Sequence, residues 1–125
     1  MRQFKSHGSG NFTIDQIAML GSNVIFEKDI CIWHPETVSI GNNVYIGHRT
    51  MLKGHPKGKL SIANNVWIGQ NVFIHSAGSV DIQSDVGIGP SVQILTSSHQ
   101  ITPRTELLLN SPLEFEAVCI ETGAD

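Results

Sequence analysis

Aliphatic residues recur along this chain with a basic period of six. Successive members of the series lie six, eight, six, six, ten, six, six, eight, six and six residues apart. They are Phe26, Ile32, Ile40, Ile46, Leu52, Ile62, Ile68, Ile74, Ile82, Ile88 and Ile94. A second small or aliphatic residue stands two positions before each later member, at Ile30, Val38, Val44, Thr50, Leu60, Val66, Val72, Val80, Val86 and Val92. A fixed short period predicts stacked, nearly identical structural units.

The longer spacings predict the shape of the coil, because each is the third of a set of three. Units of about six residues suit short strands that stack on their counterparts one turn away, at roughly 4.8 Å. Gly, Asn and Asp follow many of the core residues, and they tolerate the left-handed backbone of tight corners. We therefore expect an all-β solenoid of triangular cross-section with parallel sheets over residues 24–125. An ordinary β-sandwich would show irregular strand lengths and two-residue hairpin turns instead.

The first 23 residues form a separate N-terminal segment with a different pattern. Residues 13–20 place apolar side chains on one helical face, Thr13 and Gln16 form a possible capping box, and Gly21 is a natural helix stop. We expect one short helix here that covers the first turn of the solenoid.

The pattern is interrupted once near the other end, by a long loop over residues 95–115. It resumes with Val118, Ile120 and Ala124, and the next unit is due at position 126. Solenoid ends normally carry polar capping residues, which are absent here. The sequence therefore favours a fragment truncated at its C-terminus over a chain whose last turn is covered by another subunit.

Composition limits the possible partners and location. A chain of 125 residues corresponds to one domain, and a net charge of -3 with eight basic residues disfavours nucleic acid as the main partner. The N-terminus has no signal-peptide core, and no apolar run reaches membrane-spanning length, so we expect a cytoplasmic protein without membrane insertion. Cys31 and Cys119 are isolated, which indicates reduced thiols near the core.

A histidine lies in every stretched interval, at His34, His55, His75 and His99. We expect all four along one edge of the solenoid. The fourth interval is the longest, and a long loop on a rigid stack is a common place for function, so His99 at the root of this loop is the strongest candidate. The other three are at different offsets from the preceding core residue, which favours corner or interface positions over metal ligands.

The repeat resembles a known family of enzymes. Residues 40–47 (IGNNVYIG) and 68–73 (IGQNVF) are similar to the hexapeptide repeat of the left-handed β-helix acyltransferases, and the match covers residues 24–125. Residues 89–99 (GPSVQILTSSH), followed by a long loop and renewed hexads, resemble the maltose and galactoside O-acetyltransferase branch.

This resemblance implies a homotrimer that transfers an acetyl group from acetyl-CoA to a sugar or polysaccharide-precursor hydroxyl, with His99 as catalytic base. A neutral histidine, of ordinary pKa ~6.5, is suited to remove the hydroxyl proton. In that family the acetyl-CoA lies along later turns of the solenoid, in a groove between subunits, and this sequence does not include those turns. Cofactor-binding residues are therefore not assigned, and no metal is expected.

Several residues are candidates for binding the acceptor. Ser97 and Ser98 provide hydroxyls next to His99 that could bind the oxyanion, and backbone N–H groups at a corner are an alternative. Asn71 either binds a sugar hydroxyl, as an asparagine does in the galactoside branch, or forms a turn. Arg104 and Glu106, in the loop, either hold the acceptor or are solvated. Three lysines in the second interval attract phosphates or form a solvated basic corner: Lys53, Lys57 and Lys59.

Two other classes of function stay open. A carbonic-anhydrase-like protein of the γ class would hold zinc by histidines from adjacent subunits, but the spacing it needs, one histidine and then a close pair, is absent. A non-catalytic scaffold is the other, because the fold alone does not determine function. Trp33 and Trp67 directly follow core positions, so they are expected to point outward, for example into a subunit interface.

Overall fold

The chain winds into a coil with three short strands per turn. The computed structural model describes residues 3–99 and 113–125. Its strands are β1 (Met19–Leu20), β2 (Val24–Phe26), β3 (Cys31–Trp33), β4 (Val38–Ile40), β5 (Val44–Ile46), β6 (Met51–Lys53), β7 (Leu60–Ile62), β8 (Val66–Ile68), β9 (Phe73–His75), β10 (Val80–Ile82), β11 (Gly87–Ile88), β12 (Gln93–Leu95), β13 (Ser97–His99), β14 (Leu113–Phe115) and β15 (Val118–Ile120). Single 3-10 turns span Ile14–Gln16 and Pro35–Thr37.

Three parallel sheets form the walls of the coil. Sheet A has the order β1-β4-β7-β10-β15, sheet B the order β2-β5-β8-β11, and sheet C the order β3-β6-β9-β12. Every strand in these sheets pairs in parallel with its counterpart one turn away. The prediction of an all-β parallel β-helix is confirmed. Its left-handed sense stays a prediction that the resemblance implies.

The core is a set of aliphatic columns, because the strands stack in register. Ile40 pairs with Ile62, Ile62 with Ile82, and Ile82 with Ile120 along sheet A. Ten of the eleven residues of the six-residue series belong to the buried core cluster, and the partly buried Phe26 packs against it. Of the residues that stand two positions before each core residue, Val92 is the one that is exposed, with an exposed fraction of 39%.

Thr50 shows how a polar residue fits into this core. It is fully buried at a position where most turns carry Val or Ile. Its hydroxyl donates to the carbonyl of Gly69 at 2.9 Å and accepts the N–H of Val72 at 3.3 Å. Because both hydrogen-bonding functions are satisfied, burying this hydroxyl carries little penalty.

The corner between sheets A and B is built from a row of stacked amides. Asn23, Asn43, Asn65 and Asp85 all have left-handed φ values, between 55° and 61°. The amide Nδ2 of Asn23 donates to Oδ1 of Asn43 at 2.8 Å, Asn43 donates to Asn65 at 3.0 Å, and Asn65 donates to Asp85 at 3.2 Å. The corner role predicted for Asn and Asp residues is confirmed here.

The N-terminal helix is shorter than predicted. Only Ile14–Gln16 is helical, as one 3-10 turn, and the N–H of Thr13 donates to Oε1 of Gln16 at 3.0 Å. Met19–Leu20 form strand β1, and the N–H of Gly21 bonds the carbonyl of Ile40. The expected helix over residues 13–20 with a stop at Gly21 is therefore wrong beyond the first turn, because pairing with β4 competes successfully with helix formation.

The segment nevertheless covers the first turn. Ile17 is buried in the core cluster, and the ring of Phe12 contacts that of Phe26 at a centroid distance of 5.6 Å. Within the described part of the chain, no helix is long and apolar enough to span a membrane.

Two further expectations are refined by the structure. Cys31 and Cys119 are free thiols, as predicted, but Cys119 is exposed rather than near the core. It lies between Val118 and Ile120, whose side chains face inward, so alternation along β15 turns the thiol outward. The loop predicted over residues 95–115 begins and ends as an antiparallel strand pair, β13 with β14.

Equivalent glycines in different turns provide a test of the stacking. A Cβ on Gly47 would lie 2.6 Å from the carbonyl carbon of Gly69, whereas one on Gly89 would meet no described heavy atom within 4 Å. We expect Gly47→Ala to lower the free energy of unfolding by about 1–3 kcal/mol through overpacking. Gly89→Ala should change it by less than about 0.5 kcal/mol. Urea denaturation measures both, and equal losses would contradict the stacking.

Candidate functional site

The histidines predicted to share an edge meet at the corner between sheets C and A. Three of them line one groove of about 850 Å³, which we call the histidine groove. Its principal lining residues are His7, Trp33, His34, Lys53, His55 and His75. The common edge is thus confirmed for His34, His55 and His75. The backbone of His99 follows the same corner at the end of β13, and its side chain lies outside the described residues.

The N-terminal segment forms one wall of the histidine groove. The indole Nε1 of Trp33 donates to the carbonyl of Gly8 at 3.0 Å, and the N–H of Ile32 donates to the carbonyl of Gly10 at 2.8 Å. Lys53 stacks in register on Trp33, and its ammonium lies 4.9 Å from the centre of the indole ring. The same ammonium bonds Nδ1 of His7.

His75 is held by Thr96 from the next turn. The buried Thr96 hydroxyl accepts the N–H of Gly78 at 2.9 Å and donates to the carbonyl of His75 at 2.7 Å. It also lies 3.4 Å from Nδ1 of the His75 ring. Since the hydroxyl proton is already donated to the carbonyl of His75, the ring must be the donor in this contact. We therefore assign a proton to Nδ1 of His75, which leaves the lone pair on Nε2.

The surroundings of His75 keep its ring neutral. Burial lowers the pKa of His75 from its ordinary value of 6.5, and the charges of His55 and Lys53 lower it further. A neutral imidazole with its lone pair on Nε2 is a proton acceptor at neutral pH. In chemical terms, His75 is therefore the best-defined candidate base among the described residues.

His55 links the groove to the strand pair β13–β14. Its Nδ1 accepts the N–H of Lys57 at 3.1 Å, so the neutral ring carries its proton on Nε2. Burial, then the charges of His34 and Lys57, lower the pKa of His55. Its ring centroid lies 6.2 Å from that of Phe115 on β14.

The strand pair β13–β14 is anchored where it leaves the coil. The N–H of Glu116 donates to the carbonyl of Thr96 at 2.9 Å. Ser97 pairs with Phe115, Ser98 with Glu114, and His99 with Leu113. Ser97 is half-buried and Ser98 is exposed. The predicted acceptor residues Arg104 and Glu106 lie outside the described residues.

Asn71 lies at a different corner, between sheets B and C. It has a left-handed φ of 56°, and its Oδ1 accepts a hydrogen bond from Nε of Arg49 at 3.1 Å. The turn-forming role is thus what the structure describes within one chain. Binding of a sugar hydroxyl by Asn71 stays a prediction.

The tryptophans point away from the core, as expected. Trp67 stacks on Tyr45 with a ring-centroid distance of 5.5 Å and an interplanar angle of 5°, and 45% of it is exposed. Trp33 faces the histidine groove instead of an open surface.

Sequence reasoning missed Thr96 and underrated Lys53. Thr96 directly follows β12 and lies two residues after the inward-facing Ile94, so its inward direction could have been expected from alternation. The neighbours of Lys53 come from another turn and from the N-terminal segment, and no local signal announces them. As for metals, no group of three His, Cys, Asp or Glu side chains in residues 3–99 and 113–125 is arranged to hold an ion.

A comparison of the chain with protein-family models, with curated proteins and with solved structures finds no match. The fold and the groove together define a parallel β-solenoid with a cluster of histidines at one corner, next to an anchored strand pair.

The anchoring role of Thr96 leads to a stability prediction. Thr96→Val removes the hydroxyl but keeps the shape, leaving the N–H of Gly78 and the carbonyl of His75 without this partner. We expect a loss of about 1–3 kcal/mol in the free energy of unfolding. Thr96→Ser, which keeps the hydroxyl, should retain most of the stability. If both variants unfold at the same urea concentration as the parent chain, the anchor has no energetic role.

The lowered pKa values of His55 and His75 make stability depend on pH. In the unfolded chain these rings take up protons near pH 6.5, whereas in the folded chain they do so only at lower pH. Their contribution is therefore complete above pH 6.5 and falls as the pH drops towards the folded pKa values. The melting temperature should decline from pH 7 to pH 5, and His75→Gln should make that decline shallower. A variant with an unchanged pH profile would disprove the contribution of His75.

Proposed function

We propose that this protein is an acetyl-CoA-dependent O-acetyltransferase that modifies a hydroxyl of a sugar or sugar-like acceptor, with His99 as general base. The observation that carries the proposal is the six-residue solenoid with one anchored strand pair, β13–β14, whose first strand ends at His99. The sequence of this region resembles the maltose and galactoside O-acetyltransferases, which supports the same reaction.

The reaction needs little beyond a positioned base and an oxyanion donor. The base removes the proton of the acceptor hydroxyl while its oxygen attacks the thioester carbonyl. The tetrahedral intermediate then collapses, the C–S bond breaks, and the proton passes from the histidine to the departing thiolate. Ser97 and Ser98 are the candidate donors to the oxyanion, together with backbone N–H groups of the corner. No covalent acyl-enzyme is required when both substrates are bound together.

His75 is a second candidate for the base. Its ring is neutral, its Nδ1 proton is bonded to Thr96, and it lines the groove one turn before the strand pair. The resemblance favours His99 and the described geometry favours His75, so the test includes both.

A homotrimer is the assembly that we propose. The outward column of sheet B is apolar, with Ile25, Tyr45 and Trp67 stacked in register, and Ile25 and Trp67 are 46% and 45% exposed. Such a column is suited to contact another subunit. A non-catalytic scaffold would use the same surface, and it is distinguished by a melting temperature that neither acetyl-CoA nor any sugar shifts.

The activity is tested by measuring thiol release from acetyl-CoA with a panel of sugars. We expect acceptor-dependent release, and a fall in kcat of about 10²- to 10⁴-fold in His99→Gln, the usual contribution of a general base. His48→Gln is the matched control, because His48 pairs with Glu27 at another corner, at 3.3 Å. It should keep the activity of the parent chain.

The same assay separates the alternatives. Loss of activity in His75→Gln with full activity in His99→Gln would assign the base to His75 and overturn the role of His99. Absence of thiol release from the parent chain with every sugar would contradict the transferase proposal.

A further inference from the structure

The histidine groove is a cationic region on a chain of net negative charge. The chain has a net charge of -3, yet the groove is lined by two of its eight Lys and Arg residues, Lys5 and Lys53, together with four histidines. None of its described lining residues carries a carboxylate. The nearby carboxylate of Glu36 is paired with Nδ1 of His34 at 3.0 Å. The groove therefore presents positively charged side chains to an anionic ligand, and the described residues do not neutralise them.

Lys53 is the fixed cation of the groove. The face of Trp33 and the nitrogen of His7 hold its ammonium, and no described carboxylate lies within ion-pair distance of it. Holding a lysine in place before a ligand arrives reduces the entropy that binding would otherwise cost. An ammonium that keeps free N–H donors is a common partner of phosphate groups.

The histidines add donors of a second kind. His55 already carries its proton on Nε2 when neutral, and a second proton on its Nδ1 replaces the hydrogen bond from the N–H of Lys57. His75 has an unprotonated Nε2 that a second proton can occupy without such a loss. An anion placed among these rings favours their charged forms, so its binding is coupled to proton uptake.

We propose that the histidine groove binds the phosphate group of a small-molecule ligand, with Lys53 as the fixed cation and with His55 and His75 taking up protons as the ligand binds. This proposal does not depend on the role of His99 as a base, and it stands whether or not the protein transfers acetyl groups.

The groups that surround these two rings determine the pH dependence. His75 faces Lys53 from the preceding turn, His55 beside it, and the uncharged Thr96 from the following turn. His55 faces His34, and Lys57 lies next to it. Two carboxylates lie near the strand pair, at Glu114 in β14 and at Glu116 just after it, and both residues are exposed. The groups named here as facing the two rings are thus cationic or neutral.

Sulfate is the probe for the pH dependence, because its charge stays constant between pH 5 and pH 8. Binding is followed by NMR through the ring resonances of His55 and His75 at constant ionic strength, with chloride as the balancing salt. The affinity should rise as the pH falls through the range in which the rings gain protons, by up to about tenfold per pH unit for each proton taken up. The ring resonances should report raised pKa values in the presence of sulfate.

Glucose 6-phosphate and glucose test the class of ligand. At pH 6 the phosphate ester should shift the resonances of His55 and His75, whereas glucose at the same concentration should leave them unchanged. Equal shifts by both compounds would overturn the proposal in favour of a site that recognises the sugar alone.

Two lysine variants locate the site. Lys53→Gln should weaken sulfate binding roughly tenfold, the equivalent of one hydrogen bond between charged partners. Lys28→Gln removes the same charge at the corner that carries His48, and should leave the affinity unchanged. Equal weakening in both variants would show general charge attraction only, and an affinity that does not change with pH would disprove the coupling to the histidines. Either result overturns the proposal.

Discussion

The stacking of each strand on its counterpart one turn away determines the rest of this structure. Backbone hydrogen bonds between turns fix the register, and the register aligns the aliphatic residues into columns such as Ile40, Ile62 and Ile82. Most buried side chains therefore have chemically similar neighbours above and below them. A change that alters the rise of one turn, such as a Cβ at Gly47, is felt in the next turn, because the backbones there are already in contact.

The same register brings the candidate functional residues together at one corner. Extra residues at the corner between sheets C and A do not disturb the columns, so this corner accommodates a 3-10 turn, short loops and finally the strand pair β13–β14. Residues far apart in the sequence, such as Trp33 and Lys53, meet there because each turn returns the chain to the same edge. The rigid stack thus fixes the position of this corner in every turn, and the insertions there differ from one turn to the next.

The fold was predictable from the sequence, because it follows from a local pattern that each turn repeats. The core positions from Phe26 to Ile94 were identified in this way. The helix expected up to Leu20 was wrong because strand pairing with β4, a long-range interaction, decides the conformation of Met19–Leu20. For the site, the common edge of His34, His55 and His75 followed from the insertions. Thr96 contacts His75 from the next turn, and His7 contacts Lys53 from the N-terminal segment, so no local pattern encodes either interaction.

The amide row at the corner between sheets A and B has a direction. Each Nδ2 donates to the Oδ1 of the next turn, from Asn23 through Asn43 and Asn65, and the last acceptor is the carboxylate of Asp85. A carboxylate only accepts, so it forces its neighbour to present an N–H, and this requirement passes down the row from one amide to the next. The carboxylate of Asp85 thereby orients side chains up to three turns away, and the amide dipoles of the row point in the same direction. One corner of the coil thus has a defined polarity along the axis, which the aliphatic columns beside it do not have.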